Sequence, residues 1–84
     1  QKVTMFTMAG CPYCRAAHRW MEELMQEYPE YNDIELEIID GHPDIADRYD
    51  YYYVPTYYVG RDKVHEGVAT KEKVHRVLER ALRG

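Results

Sequence analysis

The hydrophobic pattern of the chain changes its period at residue 12, and this change limits the folds that are open to it. Val3 to Met8 is a run of strand length that is apolar on both faces, which predicts a buried parallel strand. From Pro12, apolar residues recur at helical spacing until Pro29, which predicts a helix over about 12–28. A buried strand that leads into a helix is the beginning of a βαβ unit with a right-handed crossover.

The next segment predicts a second strand at the edge of the sheet. Here apolar residues alternate with glutamates, at Ile34, Leu36 and Ile38. This period predicts a strand with one face covered and a charged face outside. Residues 40–43 then predict a turn, with Pro43 at the first position of a short helix that ends near Tyr49.

The remaining residues predict a hairpin and a last helix. Residues 54–59 are β-branched and aromatic, residues 60–62 predict a turn, and residues 63–66 predict the returning strand. Thr70 is the expected N-cap of a helix whose core stripe is Val74, Val77, Leu78, Ala81 and Leu82. We therefore expect an α/β fold of order β-α-β-α-β-β-α, with a four-stranded mixed sheet and three helices.

Size and composition favour one compact domain. The chain has 84 residues, of which 45% are hydrophobic and 31% charged, so it can bury a core and keep a solvated surface. No apolar run approaches the length of a membrane span, and residues 1–5 lack the apolar stretch of a signal peptide. We expect a cytoplasmic monomer that does not bind membranes.

The charge distribution argues against nucleic acid as a partner. The formal net charge is −4, and residues 22–50 contain eleven acidic residues against one basic residue, Arg48. A phosphate-binding surface needs the opposite balance. The cations of the last helix are read as a solvated face near its C-terminus, where the helix dipole favours positive charge.

The two cysteines lie where the strand ends and the helix begins, in the sequence Cys11-Pro12-Tyr13-Cys14. At a helix N-terminus, free N–H groups and the dipole stabilise a thiolate, so we expect a lowered pKa for Cys11. Cys14 lies three residues later on the same helical face, within reach of a disulfide. The spacing predicts thiol-disulfide exchange, with Cys11 as the exposed nucleophile and Cys14 as the buried resolving thiol.

Three other uses of these thiols remain open. A zinc site normally takes four Cys or His ligands, and the other candidates are widely spaced, at His18, His42, His65 and His75. An iron-sulfur cluster shared by two chains, with each Cys11 and glutathione as ligands, is the second alternative. The third is a binding module in which a tyrosine-rich groove matters and the cysteines are incidental.

Tyrosines are concentrated around Val54-Pro55-Thr56, at Tyr49, Tyr51, Tyr52, Tyr53, Tyr57 and Tyr58. Aromatic clusters of this kind stack nucleic-acid bases when basic grooves accompany them. Because the preceding segment is acidic, we interpret the tyrosines as core and rim contacts.

With these motifs, the whole chain resembles the glutaredoxin and thioredoxin family. Cys11-Pro12-Tyr13-Cys14 is similar to the glutaredoxin active-site tetrapeptide, and Val54-Pro55-Thr56 is similar to the family's cis-proline loop. The resemblance implies a thioredoxin fold, a cis Pro55 beside a redox-active Cys11–Cys14 disulfide, and substrate pairing with the Val54 backbone. The substrate groove that it implies contains Tyr13, Val54, Pro55, Thr56, Gly67 and Val68.

Departures from the family pattern bear on the electron donor. Met8 replaces the lysine that glutaredoxins usually carry three residues before the first cysteine, and residues 66–70 replace their Gly-Gly-Cys/Ser-Asp segment. Both features help to hold glutathione. Met5 takes the approximate place of the buried aspartate of thioredoxins, and the tryptophan that thioredoxins carry before the first cysteine is also absent.

The resemblance implies an enzyme that reduces protein disulfides and has no tightly bound cofactor. Its electron donor is either a flavoprotein of the thioredoxin-reductase type or glutathione. Because of Met8 and the altered 66–70 segment, we expect glutathione to be the poorer reductant.

Overall fold

The computed structural model describes residues 1–40 and 48–83. Its elements are β1 (Val3–Thr7), α1 (Pro12–Glu27), a 3-10 helix (Pro29–Asp33), β2 (Leu36–Asp40), β3 (Thr56–Val59), β4 (Asp62–Glu66) and α2 (Lys71–Arg83). The strands form one sheet in the order β2-β1-β3-β4. β1 pairs parallel with β2 and antiparallel with β3, and β3 pairs antiparallel with β4. The predicted mixed four-stranded sheet is confirmed.

The described part of the chain contains two α-helices and not the predicted three. The helix predicted from Pro43 to about Tyr49, and most of the turn predicted over 40–43, fall on residues 41–47 and so lie outside the described residues. In those described residues, neither helix is long and apolar enough to cross a membrane.

The core lies between one face of the sheet and the two helices. All five residues of β1 are buried, as predicted for a central strand. Val3 and Met5 pair with Val59 and Tyr57 of β3, and this face packs against a helical stripe of Ala17, Met21, Leu24, Val74, Val77, Leu78 and Ala81. On the opposite face, the Phe6 ring contacts the rings of Tyr49, Tyr51 and Tyr58. Part of the tyrosine cluster is therefore core, as predicted.

Three residues predicted to be buried are exposed, and the first is Met8, the last residue of the run predicted as a buried strand, at 55%. Ile38 is 44% exposed and Leu82 is 42% exposed. Ile38 lies on β2, an edge strand that has a neighbour on one side only. Leu82 is turned by about 100° from the buried Ala81 around the helix axis, so it leaves the core stripe.

The helix predicted over about 12–28 is confirmed as α1, and the chain after it forms a 3-10 helix for which there was no prediction. The Asn32 side-chain amide donates to the carbonyl oxygens of Met25 and Pro29, both at 3.1 Å, and so ties this turn to the end of α1. The predicted N-cap of the last helix is confirmed, because the Lys73 N–H donates to Thr70 Oγ1 at 3.1 Å.

Candidate active site

The pairing of the strands brings the predicted site segments to one end of the sheet. Phe6 pairs with Thr56, Thr7 pairs with Asp40, and Thr56 pairs with Glu66. The segment that follows β1, the loop that precedes β3 and the segment that follows β4 therefore share this end. These segments carry the two cysteines, Pro55 and Gly67.

A tight turn leads from β1 to the first cysteine. Gly10 has a φ of 80°, a left-handed conformation that favours glycine. The Cys11 N–H donates to the Met8 carbonyl at 3.2 Å, and Cys11 is the N-cap of α1 with Pro12 directly after it. Its sulfur accepts a hydrogen bond from the Cys14 N–H, with a distance of 3.4 Å from N to Sγ. The thiol therefore takes the capping place of an oxygen, as the sequence predicts.

The Cys11 thiol is half-buried and both cysteines are free thiols. Partial burial acts to raise the pKa of Cys11, but hydrogen bonds from the Cys14 side chain and from the backbone N–H groups of Cys14 and Tyr13 outweigh it. With the positive charge of Arg15, they hold the pKa of Cys11 below its ordinary value. At a given pH, a larger fraction of Cys11 is therefore present as thiolate than of an ordinary cysteine.

Cys14 lies in the opposite environment. Cys14 is only 3% exposed. Desolvation raises the pKa of Cys14 to about 11, with further contributions from the Cys11 side chain and from the negative charge of Asp40. The carboxylate of Asp40, at the end of β2, accepts a hydrogen bond from Thr7 Oγ1 at 2.9 Å. At near-neutral pH, Cys14 is therefore a neutral thiol, which must lose its proton before it can attack a disulfide.

This difference predicts the order in which the two thiols are alkylated. We expect iodoacetamide to modify Cys11 first at near-neutral pH, and Cys14 to react at a comparable rate only as the pH approaches about 11. Peptide mapping after short exposure over a range of pH values measures both rates. Faster labelling of Cys14, with Cys11 protected, would reverse the assigned roles.

The loop before β3 lies beside the cysteines at this end of the sheet. The Val54–Pro55 peptide bond is cis, and Pro55 and Thr56 are fully buried. Thr56 Oγ1 donates to the Tyr53 carbonyl, and the Gly67 N–H donates to the Pro55 carbonyl at 2.9 Å. The cis isomer expected from the resemblance is present, and the 55–56 and 67 segments of the predicted groove are joined directly.

The other predicted groove residues present exposed surface at the same end. Tyr13 and Val68 are exposed and Val54 is half-buried. Met8, Tyr52 and Tyr53 are also exposed, and Tyr52 is the most open of these at 83%. Met8 was predicted to be buried, whereas the tyrosines were interpreted as core and rim contacts without a division between the two. Residues 51–54 form a loop without a regular hydrophobic period. The sequence therefore did not distinguish the buried Tyr51 from its exposed neighbours.

The side chains that could bind a metal ion are not clustered in the part of the chain that the structure describes. Within residues 1–40 and 48–83, no three His, Cys, Asp or Glu side chains lie close enough together to hold a metal ion. His42, one of the histidines considered as a ligand, lies outside the described residues.

Comparison with known proteins gives one family. The sequence model described as "Thioredoxin domain" matches residues 1–79. A protein named thioredoxin from Methanocaldococcus jannaschii is 32% identical over 81 residues, which cover 96% of this chain and 95% of the relative.

Two solved structures show the same fold. Thioredoxin from Fasciola hepatica superposes with a TM-score of 0.66 at 21% identity, over 94% of this chain and 78% of the other. Thioredoxin O2 from Arabidopsis thaliana, in its oxidized state, superposes with a TM-score of 0.64 at 26% identity, over 94% of this chain and 72% of the other. The Fasciola likeness bears on the fold alone.

Proposed function

The chain belongs to the thioredoxin family, and from this premise we propose that it is a dithiol electron carrier that reduces protein disulfides through Cys11 and Cys14. The observation that carries the proposal is the unequal state of the two sulfurs. Cys11 is accessible and has a lowered pKa, whereas Cys14 is buried and has a raised pKa. A dithiol carrier uses an accessible thiolate to attack the substrate disulfide and a second, shielded thiol to resolve the mixed disulfide.

The first step forms a mixed disulfide. The Cys11 thiolate attacks one sulfur of the substrate disulfide, a bond forms between Cys11 Sγ and that sulfur, and the substrate S–S bond breaks. The released substrate thiolate takes up a proton. The N–H groups of Cys14 and Tyr13 stabilise the attacking thiolate before this step.

The second step returns the substrate as a dithiol. Cys14 loses its proton to water, its sulfur attacks Cys11 Sγ, and the mixed disulfide breaks to release the second substrate thiolate, which takes up a proton. An intramolecular Cys11–Cys14 disulfide remains, so two electrons and two protons pass to the substrate. Because Cys14 is buried, its sulfur is shielded from disulfides in solution and reacts with the neighbouring mixed disulfide at Cys11.

The substrate is proposed to lie across the groove that Tyr13, Val54, Pro55, Thr56, Gly67 and Val68 form. The backbone of Val54 would pair with the substrate chain, and the exposed Tyr13 and Val68 would contact its side chains. The oxidised protein is then reduced by a thioredoxin-reductase-type flavoprotein or by glutathione. We propose that it works as a cytoplasmic monomer, because a reducing compartment supplies these donors.

The experiment that tests this proposal is reduction of a protein disulfide with excess dithiothreitol as electron source. We expect the wild-type chain to accelerate the reaction and Cys11→Ser to give only the background rate. Equal acceleration by Cys11→Ser would refute the role of Cys11, and a wild-type chain that gives only the background rate would refute the proposal.

A further inference from the structure

Two side chains of β4 hold the loop that leads to Pro55. Glu66 Oε2 accepts hydrogen bonds from the N–H groups of Tyr52 and Tyr53, at 2.6 and 3.1 Å. Lys63 Nζ donates to Glu66 Oε1 at 2.9 Å and to the Asp50 carbonyl at 3.1 Å. We call Lys63 and Glu66 together the β4 clamp. Its two side chains bind three backbone atoms of the loop.

Both side chains of the clamp are charged, Lys63 positively and Glu66 negatively. Hydrogen bonding to Lys63, followed by that to the Tyr52 N–H, holds the pKa of Glu66 below its usual value. The side chain of Glu66 is 20% exposed and that of Lys63 is 34% exposed, so solvent screens this pair less than it screens the open ion pairs of α2. Charge-assisted hydrogen bonds to backbone N–H groups are the stronger class.

The clamp acts next to the predicted substrate-binding backbone. Val54 directly follows the two clamped N–H groups, and the Pro55 carbonyl after it is fixed by the Gly67 N–H. Val54 is therefore held from both sides by β4 and the residue that follows it. Asp50 has a positive φ of 54°, so the loop adopts a conformation that most residues avoid and that its contacts must maintain.

We propose that Lys63 and Glu66 are positioning residues that preorganise Tyr52, Tyr53 and Val54 to receive the substrate chain. This inference rests on the proposed function. A loop held in its bound conformation loses less conformational entropy when the substrate pairs with it. Besides partial burial, the main causes of the pKa shift of Cys11 are Cys14, Tyr13 and Arg15, and neither clamp residue is among these causes. The clamp therefore acts on substrate capture and leaves the reactivity of the thiolate unchanged.

The test compares Glu66→Ala with Lys63→Met and with a matched control, Glu72→Ala. Glu72 also pairs with a cation, Arg76, at 2.6 Å, but on the exposed surface of α2. We expect Glu66→Ala to raise the KM for a protein disulfide by about tenfold, because substrate binding must then also order the loop. We expect Lys63→Met to raise it by a smaller factor, since the contacts of Glu66 with the N–H groups remain. Glu72→Ala should leave KM unchanged.

Two further readouts separate positioning from general loss of structure. The rate at which iodoacetamide alkylates Cys11, and the reduction of a small disulfide that has no peptide chain, should stay at wild-type values in both clamp variants. If Glu66→Ala does not fold, as judged by circular dichroism, Lys63→Met carries the test with the same readouts.

An unchanged KM in folded clamp variants would overturn the inference, as would equal losses with the small and the protein disulfide. These outcomes are distinct from failure of the proposed function, in which the wild-type chain itself reduces neither substrate.

Discussion

Replacing Cys14 with serine is expected to turn the chain into a trap for its substrates. Cys11 retains its capping position and its N–H donors from the helix backbone, so attack on a disulfide continues. Resolution stops because no second thiol lies within reach. Mixed disulfides through Cys11 should therefore accumulate, and turnover should fall by about a hundredfold or more.

The trapped species is measured by non-reducing electrophoresis and by mass spectrometry of the linked peptides. Cys11→Ser is the matched control, because it changes the other sulfur by the same single atom. We expect no mixed disulfide with this variant. Equal trapping through Cys14 in Cys11→Ser would show that the roles of the two thiols are exchanged.

The second large effect concerns the electron donor. We expect a flavoprotein thioredoxin reductase to support faster turnover than glutathione with glutathione reductase, by roughly tenfold to a hundredfold. Glutathione carries two carboxylates, and Met8 is exposed where glutaredoxins have a cation. Lys71 is already engaged by Glu23 and Glu27 of α1, at 3.1 and 2.8 Å. At the start of α2, the Lys73 N–H already donates to Thr70 Oγ1.

A gain-of-function variant sharpens this comparison. Met8→Lys restores a cation beside the active-site turn, so we expect it to raise glutathione-dependent turnover several-fold and to leave turnover with the flavoprotein nearly unchanged. Steady-state rates with a common protein disulfide measure both. Turnover of the wild-type chain with glutathione that equals or exceeds that with thioredoxin reductase would contradict the prediction.

The fold was predictable where one physical signal dominates a segment. The apolar run of β1 and the helical stripe of α1 each have a single period, and both elements begin and end near their predicted positions. The errors occur where tertiary context decides. Ile38 is exposed because β2 is an edge strand, and Leu82 is exposed because it faces away from the sheet. The 3-10 helix depends on the side chain of Asn32, which gives no periodic signal.

At the candidate site, the local features were predictable and the long-range ones were not. The lowered pKa of Cys11 follows from its position at the start of a helix, whereas the raised pKa of Cys14 depends first on its burial. The contacts between Glu66 and the loop join residues 13 and 14 positions apart. They depend on the register of β3 and β4, which contains an irregularity between Tyr57 and Tyr58. No sequence pattern indicated that register.

A similar limit applies to the surroundings of Cys14. Sequence analysis noted that Met5 stands in place of the buried aspartate of thioredoxins, and Met5 is indeed fully buried in the core. The carboxylate that acts on Cys14 belongs to Asp40 instead, which the pairing of Thr7 with Asp40 brings to this end of the sheet. The parallel pairing of β1 and β2 was predicted, but its register was not.

The most direct measurement of the central claim is a single turnover by the pre-reduced chain, with no other reductant present. The chain is mixed with a protein disulfide, the reaction is quenched with an alkylating agent, and the mass of the chain is measured by mass spectrometry. We predict that one substrate disulfide is reduced for each chain, and that the chain itself loses two hydrogen atoms and takes up no alkyl group because Cys11 and Cys14 are joined. A chain that still carries two alkyl groups after the substrate has been reduced, or a substrate that stays oxidised, would contradict the claim.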